Sequence, residues 1–153
     1  MKWAFQLALY DRAKADERIH LVIGDVGAVM FQKFRADFPD RFINAGLREQ
    51  AMVSFAAGMA MEGLRPIVYT ITPFLLERAF EQIKLDVDQM NMPVGLVGYS
   101  DNSAGPTHSE MSTWPLNWPF KNITPNWTRD KAVVTKVMQT IDLDRPWFLG
   151  MHG

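Results

Sequence analysis

Pro66-Ile67-Val68-Tyr69-Thr70-Ile71-Thr72-Pro73-Phe74-Leu75-Leu76 changes from one secondary structure to another within two residues. Pro66 to Ile71 is rich in β-branched and aromatic side chains, which suit a half-buried pleated surface, and reads as a strand. Thr72 is expected as an N-cap and Pro73 as the first helical residue, a position where the missing N–H has no intrahelical partner to lose. Leu76, Phe80, Ile83, Val87 and Met90 follow at spacings of four and three, one apolar seam along a single helix. Pro93 to Tyr99 is again a strand. Strand, helix and strand in succession make a crossover unit, and the strands of such a unit lie parallel.

The same alternation runs outward in both directions. Upstream, Lys2 to Asp16 predicts a helix with Trp3, Ala4, Leu7 and Ala8 on its apolar stripe. Ile19 to Val26 predicts a strand carrying Gly24-Asp25-Val26-Gly27 at its end. Ala28 to Phe38 predicts a short helix stopped by Pro39, and Phe42 to Ala45 a second strand. Leu47 to Glu62 predicts a helix that is apolar almost all round, closed by Gly63. A helix without a polar face is expected to be buried, here against a sheet or a partner. Downstream, Ser100 to Pro119 is a long loop bearing Trp114 and Trp118, and loops of that length usually serve function or a partner. Lys121 to Thr124 is a weak fifth strand, Asp130 to Ile141 a helix and Pro146 to Met151 a sixth strand. The prediction is one α/β domain over residues 1–153. It has three layers: an about six-stranded, mainly parallel sheet with helices on both faces.

Composition removes several classes of function. With 48% apolar and 22% charged residues the 153-residue chain is not disordered, and it is long enough to bury a core without staples. It has no cysteine, so disulfides, thiolate metal sites and cysteine nucleophiles are excluded. A net charge of −1 gives no electrostatic footprint for nucleic acid or an anionic membrane. Ala51 to Met61 is too short an apolar run to span a bilayer, and Asp11 and Arg12 come too early for a secretory signal. A cytoplasmic protein is expected, and Asn122-Ile-Thr124 and Asn126-Trp-Thr128 are read as chance matches to the glycosylation pattern.

In an open α/β sheet, ligands bind at the carboxyl ends of the strands. Asp25, Glu49, Thr72 and the loop from Ser100 to His108 fall there. Glu49, in the first turn of the apolar helix, reads either as a capping-box glutamate or as a carboxylate poised in an apolar pocket. Gly24-Asp25-Val26-Gly27 lacks the spacing of a dinucleotide fingerprint, and no phosphate loop is present. His20, His108 and His152 have no metal-ligand spacing, and no metal site is expected in this chain. His108 reads either as a surface residue or as a loop functional group. Phe74 and Arg78, four apart, share one helix face. They could pack in the core and pair with Glu77, Glu81 or Asp86, or they could stack on a heterocycle and hold an anion.

Asp40-Arg41-Phe42-Ile43-Asn44-Ala45-Gly46-Leu47-Arg48-Glu49-Gln50 resembles the pyrimidine-binding domain of transketolase-like thiamine diphosphate enzymes, the group of transketolase and deoxyxylulose phosphate synthase. The likeness continues through Phe55-Ala56-Ala57-Gly58-Met59-Ala60, Thr72-Pro73-Phe74-Leu75, Arg78-Ala79-Phe80-Glu81-Gln82 and Gly105-Pro106-Thr107-His108, and covers essentially the whole chain. The resemblance implies the thiamine diphosphate-binding fold. It gives Glu49 the role of hydrogen-bonding N1′ of the aminopyrimidine, so that N4′ can deprotonate C2 of the thiazolium. It gives Phe74 the face of the pyrimidine, Asp25 a place near the cofactor, and His108 the substrate oxygens. Arg78 is similar to a substrate-contacting arginine of the synthase branch, one residue further from the aromatic. Asp101 stands in for an acidic step that family members carry just before the threonine. The diphosphate-binding domain, with its Gly-Asp-Gly…Asn motif for Mg²⁺, is absent from the sequence.

The expectation is therefore the pyrimidine-binding subunit of a split transketolase-like enzyme that transfers a two-carbon ketol unit. A companion subunit would hold diphosphate and Mg²⁺, in an α2β2 assembly acting on a sugar phosphate or a 2-oxo acid. The alternatives are a split 2-oxo acid decarboxylase, a non-catalytic interaction subunit and, least supported, a stand-alone flavodoxin-like domain.

Overall fold

A computed structural model of the chain describes residues 1–100, 102–109 and 114–153. Its helices are α1 (Lys2–Ala15), α2 (Gln32–Asp37), α3 (Glu49–Met61), α4 (Thr72–Leu76), α5 (Phe80–Gln82) and α6 (Lys131–Thr140). Its strands are β1 (Ile19–Ile23), β2 (Phe42–Asn44), β3 (Arg65–Ile71), β4 (Gly95–Ser100), β5 (Thr124–Thr128) and β6 (Trp147–His152). The strands form one sheet in the order β2-β1-β3-β4-β6-β5, and every neighbouring pair is parallel. The predicted α/β class and layered architecture hold, and "mainly parallel" sharpens to parallel throughout.

Side chains alternate along each strand, so the sheet feeds two cores. Leu21, Ile23, Ile67, Tyr69 and Leu149 face α1 and α6, where they meet Phe5, Leu9, Val134 and Met138. Val22, Val68, Leu96 and Phe148 face α3 and α4, where they meet Met52, Ala56, Leu75 and Leu76. All lie at or near zero exposure, which is why these strands read as continuous apolar runs.

Several boundaries differ from expectation. β1 stops at Ile23, because Asp25 (φ 63°) and Gly27 (φ 80°) take left-handed conformations and turn the chain. The helix expected from Ala28 begins only at Gln32. Thr72 is the first residue of α4, with Ile71 at the cap. The helix carrying the seam from Leu76 to Met90 is broken into α4, α5 and a π-helical segment, Ile83–Gln89. The fifth strand runs over Thr124–Thr128, not Lys121 to Thr124. The backbone N–H groups of Lys121, Asn122 and Ile123 are instead donated to the Asp88 carboxylate at 3.2, 2.7 and 3.2 Å.

The structure resolves the burial of two apolar segments. α3 buries Glu49, Met52, Val53, Ala56, Ala57 and Ala60, but Phe55 is 52% exposed and Leu47 and Met61 are also open. One face of this helix is core and the other is apolar surface. Trp114 does not project from its loop. It is buried against Phe80 and Trp118, and Phe120 and Trp118 continue that aromatic cluster to Phe148.

Candidate functional site

The carboxyl ends of β1, β2, β3 and β4 gather the predicted residues on one edge. Asn44, the last residue of β2, organises the first part of it. Its Oδ1 accepts the backbone N–H groups of Asp25 and Gly46, both at 3.0 Å, and its Nδ2 donates to Asp25 Oδ1 at 2.8 Å. Gly46 then takes φ 70°, a conformation that costs glycine little, and the chain enters α3 three residues later. Asn44 was not singled out in the sequence. Its signal was an asparagine closing a strand ahead of Ala-Gly, a side chain that readily bonds backbone two residues on.

Glu49 is the first residue of α3 and is only 4% exposed. Among the described residues its carboxylate bonds Arg78 and no backbone N–H of the helix start, so no capping box forms. The helix N-terminus favours its negative charge. Its cationic partner is Arg78, whose Nη1 stands 3.5 Å from Oε1, at the outer limit of a hydrogen bond. The sequence offered Glu77, Glu81 or Asp86 as partners for Arg78, and the fold substitutes Glu49 across 29 residues.

Arg78 also lies over Phe74, with the guanidinium carbon 3.7 Å from the ring centre. The shared helix face was legible from the spacing. Phe74 itself is buried, and its ring meets His108 at a centroid distance of 5.0 Å in an edge-on geometry. His108 ends a 3-10 turn, Pro106–His108, entered through Gly105 at φ 99°. Its Nδ1 is 3.0 Å from Thr107 Oγ1. Glu49, Arg78, Phe74 and His108 thus form one continuous contact chain. Asp25 is exposed just past the end of β1 and tied to Asn44. Asp101 lies outside the described residues.

Two cavities open at the ends of this chain of contacts. One of about 400 Å³ is lined by Leu47, Arg48, Glu49, Gln50, Ala51 and Arg78. The other, of about 500 Å³, includes His108 in its wall together with Tyr69, Ile71 and Tyr99 from the central strands. Burial and the neighbouring Tyr99 push the Tyr69 hydroxyl up from its ordinary value, so it stays protonated. Buried Thr72 Oγ1 and Gln82 Oε1 have no hydrogen-bond partner among the described residues. Among the described residues no three acidic or imidazole side chains gather as a metal site, and no helix is long and apolar enough to cross a membrane.

Residues 1–123 match the family model described as transketolase, pyrimidine binding domain. The chain belongs to that family. It is 35% identical, over 82% of its length, to an uncharacterized 33.6 kDa protein in the fasciation locus of Rhodococcoides fascians, of which it covers 40%. It is 36% identical, over 90% of its length, to a 1-deoxy-D-xylulose-5-phosphate synthase of Dechloromonas aromatica, of which it covers 23%. Among solved structures it superposes on a split gene transketolase, an inactive beta4 tetramer, with a TM-score of 0.79. That match has 23% identity and covers 97% of this chain and 50% of the other. The transketolase of Leishmania mexicana matches with a TM-score of 0.82 at 18% identity, covering 99% of this chain and 25% of that one. The chain therefore spans well under half the length of the curated relatives described here.

Proposed function

We propose that this chain is the pyrimidine-binding part of a split thiamine diphosphate-dependent, transketolase-like enzyme. The observation that carries the reading is Glu49: a buried carboxylate at a helix N-terminus, bonded to its cation only at 3.5 Å, with Phe74 and His108 in line beside it. A carboxylate so placed has capacity to accept a proton-bearing ring nitrogen. Gln82 Oε1, four residues beyond Arg78, is a buried acceptor without a partner among the described residues, as a site for a polar heterocycle would offer. The residues thus fit the aminopyrimidine end of thiamine diphosphate. Asp25 is proposed beside the same cofactor.

Bound there, the cofactor supplies the carbanion chemistry of its thiazolium ring. The protein's own contribution is positional and electrostatic. Glu49 holds the shared proton at a carboxylate oxygen, and its burial raises the strength of that bond. Phe74 orients the heterocycle by offset stacking. His108 faces the substrate carbonyl oxygen and its derived hydroxyl. Arg78, and Asp101 from outside the described residues, are proposed as substrate contacts. Diphosphate and Mg²⁺ fall to a companion subunit in an α2β2 assembly, and the half-exposed apolar face of α3 suits such burial.

The reaction proposed is transfer of a two-carbon ketol unit. In the reconstituted complex Glu49→Gln should abolish turnover and leave the fold intact, since the amide keeps shape but cannot take the proton. Full activity of Glu49→Gln would sink the mechanism. A companion chain with a Gly-Asp-Gly…Asn motif encoded beside this one would support the split.

A further inference from the structure

Resting on that proposed reading, we infer that the substrate of this site carries an aromatic or branched apolar group on its carbonyl carbon, in place of a phosphorylated sugar chain. The 500 Å³ cavity that shares His108 is walled by Trp3, Val26, Val29, Met30, Ile71 and Tyr99. That volume lies in the range of small-molecule sites, and a dry apolar cavity of about 150 Å³ already accepts a benzene ring. A phosphate ester needs arginine forks or a cluster of cations to replace its water. Among the described residues of this wall the Lys or Arg cation is Lys2, and its Nζ lies 4.0 Å from the centre of the Tyr99 ring. One ammonium suits a single carboxylate.

The wall is built by the backbone as well as by side chains. Gly27 lines the cavity at φ 80°, and a Cβ there would come within 2.9 Å of Tyr69 Cε1. The turn from Val26 to Met30 is therefore held against the aromatic floor, with Val26 and Met30 half-buried beside it and exposed Val29 on the rim. The protonated Tyr69 hydroxyl adds a neutral donor and no charge. His108 stands where the cavity meets Phe74, so a carbonyl beside His108 would place its substituent among these apolar groups.

The test uses the full chain titrated by calorimetry with phenylpyruvate and, separately, with ribose 5-phosphate. Both probes are anionic, so their difference reports the apolar group. Phenylpyruvate is expected to bind at least tenfold more tightly. Ala104→Trp fills the cavity from an exposed position, and Val29→Asp places a charge on its rim. Each should weaken phenylpyruvate at least tenfold while far-ultraviolet circular dichroism stays unchanged. Equal or tighter binding of ribose 5-phosphate overturns the inference. So does binding of neither probe, or a phenylpyruvate affinity that neither variant moves. The cofactor reading is judged separately, by Glu49→Gln in the complex: an active Glu49→Gln with the expected probe preference loses the cofactor role and keeps the cavity, and the reverse pattern loses the cavity alone.

Discussion

The guanidinium of Arg78 covers the ring of Phe74, its carbon 3.7 Å from the ring centre, while the same group reaches Glu49 at 3.5 Å. The two residues proposed to grip a pyrimidine are thus already bridged by a planar cation from α4's own continuation. A heterocycle stacking on that face must move the arginine aside. A half-exposed cation–π contact contributes about 0.5–1 kcal/mol. Arg78→Ala should therefore tighten thiamine binding roughly threefold in a calorimetric titration. An unchanged or weaker affinity would contradict this.

Asp88 is a second buried carboxylate, and its role is structural. It accepts three backbone N–H groups from Lys121 to Ile123, while its own carbonyl accepts Asn122 Nδ2 at 2.7 Å. Asp88→Ala removes the acceptor of all three, and leaves the Ile123 N–H buried without it. The expected loss is about 3 kcal/mol of stability, or about 10 °C in Tm, measured by thermal denaturation. A change below 1 °C would show that water replaces the carboxylate without cost.

Gly98 tests how α4 is seated. A Cβ on it would come within 2.5 Å of Thr72 Oγ1 and 2.9 Å of Thr72 Cα, and the second of these is backbone. Gly98→Ala should push the start of α4 off β4 and carry Phe74 with it. Chemical shifts of Phe74 and His108 ring protons should move together, with a stability loss of about 2 kcal/mol. Ring shifts that stay in place would mean the strand yields instead.

His152 gives a pH signature. Burial, and then the charge of Arg129, hold its imidazole below the ordinary histidine value. In that window the unfolded chain binds more protons than the folded one, so stability rises with pH. Its contribution is complete above about pH 6.5 and is lost as pH falls toward the depressed folded value. Replacing His152 with Gln should flatten the Tm profile between pH 5 and 7 relative to the parent. Parallel profiles would argue that the folded and unfolded imidazoles titrate alike.

The layered fold was legible because burial on both sheet faces forces apolar strands, and Ile19 to Ile23 and Arg65 to Ile71 carry that pattern with little polar interruption. The shared face of Phe74 and Arg78 was legible from spacing alone. Glu49 was ambiguous from position, and the geometry removes the capping alternative. What stayed hidden depends on contacts distant in sequence. Asp88 reaches 33 to 35 residues to take the N–H groups that a strand at Lys121 would have needed. Ile123 reads as a strand residue but is spent in a core cluster. The exposed face of α3 was invisible because the same apolar side chains serve a core or a surface awaiting cover.

β6 lies between β4 and β5, and among the described residues β5 pairs with no other strand. β5 is therefore held to the sheet through β6 alone among those residues, and the Trp118, Trp127 and Phe148 rings meet across that junction. Tryptophan fluorescence during refolding would thus report when β6 enters between its two neighbours.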